Sequence, residues 1–333
     1  MIIYVFVGLL AIILFLEFAV SPRASGHLLC KYGFDTKLAE PGETIVCTGR
    51  LLNDWFLPVS YIFYADYMPE GAVVEGTKSN RDQHRLFLLP RQVFRHTVSF
   101  SLPKRGVYKK IKYYLQTGDF LGFKSYIVSE EYPAGIVIMP KRCEDEEVLN
   151  TLGGYVGDVS VRRFILEDPV LTIGYREYTG REPMKQIDWN QSAKTGGLMV
   201  RNNDYTVETR VAVVLNLACG SEEEKEKSLE ILRTVCEELE ENRIAYAFLT
   251  NGDVGELEEG FGRMHFNALM RDLGRSGLFA YSSFEQLADR CVRERKDGRS
   301  YILVTPPLRE GDRPALGRLR EAGGLCLLEA RTD

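Results

Sequence analysis

Between Gly174 and Val200 the chain sets Arg176, Glu177, Lys185, Asp188 and Trp189 around short glycine turns, in the stretch GYREYTGREPMKQIDWNQSAKTGGLMV. Opposite charges at this spacing can form an arginine fork on a carboxylate, and a tryptophan beside them carries a large apolar face. Two chemistries fit. As a fastening, Arg176 and Glu177 pair with Asp188 and Lys185 across the turn while Trp189 wedges the segment onto the neighbouring domain. As a docking surface, the charges stay exposed to a partner. Fastening is the plainer expectation, although a buried Arg–Asp pair would not by itself prove stabilisation, because desolvation offsets the attraction.

The remaining reactive groups are scattered. The chain has four histidines, and His265 stands apart from any Ser or Cys motif, so no nucleophile–base pair is defined. Cys219 follows a strand and precedes a helix N-terminus, where a thiol pKa can fall, but a small buried strand-end cysteine is the expected identity. His96 lies within an apolar alternation, with His84 the nearest other histidine. It is read as a satisfied or rim histidine, and no metal is expected there. Gly252-Asp253-Val254-Gly255 and Gly260-Phe261-Gly262 are glycine-rich, yet neither matches a dinucleotide or P-loop motif. No catalytic set, metal or cofactor is therefore expected, and the chain is not read as an enzyme.

The positioning elements follow from composition and periodicity. At 333 residues, 45% hydrophobic and 27% charged, the chain has room for two globular domains plus an accessory segment. A net charge of −5 and the lack of a Lys/Arg run argue against a nucleic-acid partner. Ile2 to Val20 carries no charge before Glu17 and, as a helix, is about as long as a bilayer core is thick. A transmembrane anchor is expected over residues 1–22; a cleaved signal peptide is the competitor, but no basic residue precedes the run. Arg23 and Lys31 follow it, which under the positive-inside rule puts the rest in the cytoplasm. Seven scattered cysteines without a C-x-x-C pair suit small core residues in a reducing compartment.

From 27 to 140 the apolar period is two. Phe94, His96, Val98, Phe100 and Leu102 form one series, and Val107, Lys109, Ile111, Tyr113 and Leu115 another. Turns at Glu40-Pro41-Gly42-Glu43, Asn53-Asp54, Pro69-Glu70-Gly71 and Gly118-Asp119 break the strands, as an antiparallel β-sandwich requires. Trp55, Phe56, Tyr61 and Tyr64 are read as its core, with a binding surface as the alternative. The acidic run Glu144 to Glu147 followed by Gly153-Gly154 is read as solvated linker. Beyond it, Arg210 to Leu217 is a nearly continuous apolar run that suits a central parallel strand. Helices are expected from Glu222 and over Phe261–Asp272, Phe284–Arg295 and Arg313–Glu321, with strands at Ile244–Thr250, Tyr301–Val304 and Leu325–Leu328.

Arg176, Tyr178, Gly180, Lys185, Ile187, Asp188, Trp189, Ser192, Ala193, Lys194, Leu198 and Val200 together resemble the signature of the domain of unknown function 58 family, with Arg181 standing where that family usually has Asp. TGDFLGF, Thr117 to Phe123, resembles a turn of its immunoglobulin-like domain. The α/β pattern after the signature resembles a von Willebrand factor A-like domain, whose metal-binding form ends its first strand in D-x-S-x-S. Here Asn216, Ala218 and Gly220 stand at those positions, so the resemblance implies a degenerate site, with Ser221 or Asp253 as the residues left to rebuild it. The fold class expected is α+β multidomain: the anchor over 1–22, an immunoglobulin-like antiparallel β-sandwich over 27–140, a linker and signature segment over 141–205, and a doubly wound von Willebrand factor A-like α/β domain over 206–333. The resemblance further implies a partner, a MoxR-type AAA+ ATPase or its substrate. The expected function is a non-catalytic, membrane-anchored adaptor or scaffold, single-pass in the cell membrane with cytoplasmic domains. The alternatives are a hydrolase with an unrecognised site and an outward-facing ligand-binding module.

Overall fold

A computed structural model describes residues 2–15, 23, 25–76, 79–118, 124–165, 172–180, 184, 187–203, 211–294 and 299–331. The chain divides into two compact units, Met1–Lys141 with Leu273–Arg275 and Arg142–Asp272 with Ser276–Asp333.

The first element corrects the expected fold class. Helix α1 runs over Ile2–Phe15, 14 residues, which at 1.5 Å per residue is about 21 Å against a hydrocarbon core of about 30 Å. Among the described residues no helix is long and apolar enough to cross a membrane. Residues 16–22 lie outside the described set. The expected transmembrane helix, the single-pass anchoring in the cell membrane and the cytoplasmic placement derived from it therefore lose their support. The described residues form an α+β protein.

The first unit is built from two facing sheets. One orders β1 (Leu28–Phe34), β3 (Thr44–Asn53), β7 (Val93–Ser101) and β5 (Val73–Val74) side by side; the other orders β2 (Leu38–Ala39), β9 (Ser125–Ile138), β8 (Gly106–Gly118), β4 (Val59–Tyr67) and β6 (Arg81–Leu88). Alternation decides what faces inward: along β3, Ile45, Cys47, Gly49, Leu51 and Asn53 are buried while Thr44 and Arg50 are exposed. Ile45, Leu51 and Phe100 from the first sheet join Ile62, Tyr64, Leu88, Ile111 and Ile136 from the second in one core. Of the four aromatics expected there, Trp55 and Tyr64 are buried, whereas Phe56 and Tyr61 are exposed.

The second unit holds a five-stranded sheet ordered β14 (Leu257–Gly260), β13 (Tyr246–Thr250), β12 (Val211–Leu215), β15 (Ser300–Thr305) and β16 (Leu325–Glu329). All neighbours are parallel except the edge pair β13–β14. Every residue of β12 is buried, because helices cover both of its faces. Helices α6 (Phe284–Arg293) and α7 (Arg313–Ala322) pack on Ala212, Val214 and Leu303. Helix α4 (Glu222–Glu241) contacts β12 and β15 through Leu229, Leu232, Val235 and Leu239, which lie outside that cluster. Helix α5 covers Arg263–Arg275. The acidic run expected to be linker instead opens helix α2 (Glu146–Ile165), which packs on α4 and β16. Its buried Val148, Leu152, Val156 and Val159 recur every three or four residues, the spacing of one helix face.

Candidate functional site

The Gly174–Val200 segment folds as a small β–α–β piece. Strand β10 (Thr172–Glu177) pairs antiparallel with β11 (Met199–Asn203), and the short helix α3 (Trp189–Thr195) lies between them in sequence. Asp188 is its N-cap: one carboxylate oxygen accepts from Asn190 N at 3.0 Å and Gln191 N at 3.1 Å, and the residue is buried. Ser192 then ties helix to strand, donating its hydroxyl to Asp188 O at 2.7 Å and accepting from Met199 N at 2.8 Å. The backbone closes the piece through Asp188 N to Met199 O at 2.9 Å and Tyr178 N to Leu198 O at 2.8 Å. Gly196 ends the helix in the left-handed region at φ 76°, with its N–H on Ser192 O.

This geometry assigns the signature residues their places. Asp188 works as a cap, Gly180 turns at φ 83°, Arg176 stands on β10 opposite Val200, and Lys194 is exposed in the last turn of α3. Tyr178 is half-buried beside Leu198, and Lys185 lies outside the described residues. Trp189 departs from the expected wedge. As the first residue of α3 it is 61% exposed, and Met184 at 68%, Leu198 at 45% and Tyr175 at 42% share that exposure. Hydrogen bonds tie the described turns of the segment, Ile187 and Val200 are buried, and Tyr175, Met184, Trp189 and Leu198 are left to solvent.

At the end of β12, the position that a metal would occupy in an A-like domain is cross-linked by amides and hydroxyls. Asn216, fully buried, donates to Thr305 Oγ1 at 2.9 Å and accepts from Ala218 N at 3.0 Å and Asn251 Nδ2 at 2.7 Å. Asn251 in turn accepts from Leu217 N at 2.8 Å and donates to Ser282 O at 3.1 Å. Ala218 contributes only a methyl group. Gly220 sits at φ 86°, and a Cβ there would lie 2.4 Å from Pro306 Cβ, so no hydroxyl-bearing residue fits. Ser221 is occupied as the N-cap of α4, accepting from Glu224 N at 3.2 Å. Asp253 accepts from Ser276 Oγ and Gly277 N, each at 2.6 Å. Burial pushes the Cys219 thiol above its ordinary value, outweighing the contacts with Thr305 and Asn216 that lower it.

An open depression beside β13 and β14 is lined by Glu256, Glu258, Glu259, Glu294 and Arg299. The tyrosines and thiols pushed furthest upward, Tyr32, Tyr64, Tyr246, Cys30 and Cys236, all owe their shift first to burial and line none of it.

A polar cluster inside the sandwich was legible only in part. His96 Nε2 lies 2.5 Å from Asp66 Oδ2, Tyr32 donates to Asp66 Oδ1, and the Tyr32 and Tyr64 hydroxyls are 2.7 Å apart. Desolvation, then the Asp66 charge, holds both tyrosines far above the ordinary phenol range. Asp82 and His84 join from β6, with Asp82 Oδ2 2.9 Å from His84 Nε2. His84 and His96 were noticed as neighbours in sequence; Asp82 and Asp66 were not, and the signal for the first is the Asp-x-His spacing along a strand of period two.

No protein-family model matches the chain, and no curated protein matches it. Among solved structures, the GAE domain of GGA2p from Saccharomyces cerevisiae aligns with TM-score 0.24 at 11% identity, over 32% of this chain and 88% of that one. BslA, a bacterial hydrophobin, aligns with TM-score 0.23 at 7% identity, over 33% and 95%. Spo0M, a sporulation control protein from Bacillus subtilis, aligns with TM-score 0.21 at 12% identity, over 46% and 58%. Scores this low carry no argument about fold or function. No comparison supplies the immunoglobulin-like or von Willebrand factor A-like label, and the chain is described by the two-sheet and five-stranded units above.

Proposed function

We propose that this protein is a non-catalytic adaptor or scaffold that presents its β10–α3–β11 segment to a protein partner, a MoxR-type AAA+ ATPase as the family resemblance implies. The observation that carries the reading is the exposure of Tyr175, Met184, Trp189 and Leu198 on a segment whose short helix is tied to its strand through Asp188, Ser192 and Gly196. Aromatic and methionine side chains are enriched at protein interfaces. The engagement of Asn216, Ser221, Asp253 and Cys219 in packing, capping and hydrogen bonding supports a role by contact over one by chemistry.

The full-length chain, immobilised and challenged with a cell extract under ATP and under ADP, tests this. Recovery of an AAA+ ATPase, stronger in one nucleotide state, is the expected result. Recovery of no ATPase in either state, together with hydrolytic activity in the purified chain, overturns the reading in favour of an enzyme.

A further inference from the structure

Asp82 and His84 stand two residues apart on β6, so both side chains project from one face of that strand. His96 stands on β7, in the opposing sheet. One ligand atom from each of the three, two imidazole nitrogens and a carboxylate oxygen, lies within 4.8 Å of the other two. The His84 and His96 rings are 5.0 Å apart between centroids. The Asp82–His84 pair, at 2.9 Å, is already near the separation of two donors sharing one ion, since zinc–nitrogen and zinc–oxygen bonds of about 2.0–2.1 Å in a tetrahedron put ligand atoms about 3.3 Å apart.

Two further observations bear on the same cluster. His96 Nδ1 is a buried nitrogen without a hydrogen-bond partner, on a side chain only 6% exposed. Nε2 lies 2.5 Å from the Asp66 carboxylate, and a neutral ring donating there leaves the Nδ1 lone pair to an ion, the arrangement in which a second carboxylate orients a metal-bound histidine. Asp66 and Asp82 are also directly opposed in register between β4 and β6, and opposed carboxylates repel. A cation among them removes that repulsion.

We propose that Asp82, His84 and His96 form a site for a divalent transition-metal ion of the zinc class, with Asp66 as the carboxylate that orients His96. Two imidazoles with one carboxylate suit borderline cations such as Zn²⁺ and Co²⁺; Mg²⁺ and Ca²⁺ favour all-oxygen shells. The ion enters from the solvent side, where Asp82 and His84 are each 30% exposed, and water completes its shell. Because Asp82 and His84 belong to one sheet and His96 to the other, the ion clamps the two sheets together.

The test uses the full chain after chelator treatment, titrated with Zn²⁺ by calorimetry and with Co²⁺ by visible absorption. The expected result is one saturable site per chain, a rise in melting temperature on loading, and a Co²⁺ spectrum with ligand-field bands but no thiolate charge-transfer band, which separates this site from the seven cysteines. His84→Ala and Asp82→Asn, both at half-exposed positions that leave the sandwich core intact, each weaken binding at least hundredfold, while Asp66→Asn weakens it about 10–100-fold. His27→Ala, on a histidine stacked against Trp55, leaves affinity unchanged. Absence of saturable binding overturns the proposal, as does binding that survives both His84→Ala and Asp82→Asn.

Discussion

Gly49→Ala lowers the stability of the sandwich unit by about 3–5 kcal/mol, the cost of leaving a buried charge without its partner. Gly49 and His96 are register partners on β3 and β7, and the imidazole fills the space that a side chain on Gly49 would take. A Cβ on Gly49 would sit 2.1 Å from His96 Cε1 and 2.6 Å from Nε2. The ring has no room to yield, since it packs against Tyr64, Phe94 and His84 and is held at Nε2 by Asp66. It must leave, and Asp66, 1% exposed, then loses His96 and is left to its tyrosine partners. Urea unfolding of the full chain measures this as a lowered midpoint in the transition of the first unit. A loss under about 1 kcal/mol would mean the ring relocates without stranding the carboxylate.

Asn216→Ala costs the α/β unit about 2–4 kcal/mol, because the truncation leaves more than one buried polar group without its partner. Asn216 is 0% exposed and satisfies Thr305 Oγ1, Ala218 N and Asn251 Nδ2 at once. Those contacts join the end of β12 to the ends of β15 and β13, where hydrogen bonds of the parallel ladder stop. Thermal denaturation checks the cost. A change within about 0.5 kcal/mol would place these groups in contact with water.

Much of the α/β unit was legible because its periodicities are strong. The Arg210–Leu217 run marks β12 at Val211–Leu215, and the acidic turn marks the start of α4 at Glu222. Phe284–Arg295 was expected as a helix and is one over Phe284–Arg293. Helix α2 was missed even though Val148, Leu152, Val156 and Val159 carry the right spacing, because Gly153, Gly154 and Gly157 lower helix propensity and the preceding acids resemble a linker. Trp189 was expected inside because tryptophan brings most area when buried. The capping role of Asp188 decides otherwise, fixing Trp189 as the first helical residue on an exposed turn. The Asp66, Asp82, His84 and His96 cluster depends on strands from two facing sheets meeting in a particular register, which no single strand encodes. The length of the apolar N-terminal run suggested a membrane span over 1–22; the helix described there covers Ile2–Phe15, and residues 16–22 lie outside the described set.

The central claim, that the exposed face of the signature segment is where a partner docks, is tested most directly by comparing wild type with Trp189→Ala in a binding isotherm against the recovered AAA+ ATPase, with thermal melts of both proteins. Tryptophan is a common interface anchor, and its removal costs on the order of 2 kcal/mol or more of binding, about thirtyfold in Kd. At 61% exposure the same change leaves folding stability within about 0.5 kcal/mol. A thirtyfold weaker Kd at an unchanged melting temperature is the predicted result. An unchanged Kd, or a melting temperature that falls together with the affinity, would contradict the claim and return Trp189 to the role of a structural wedge.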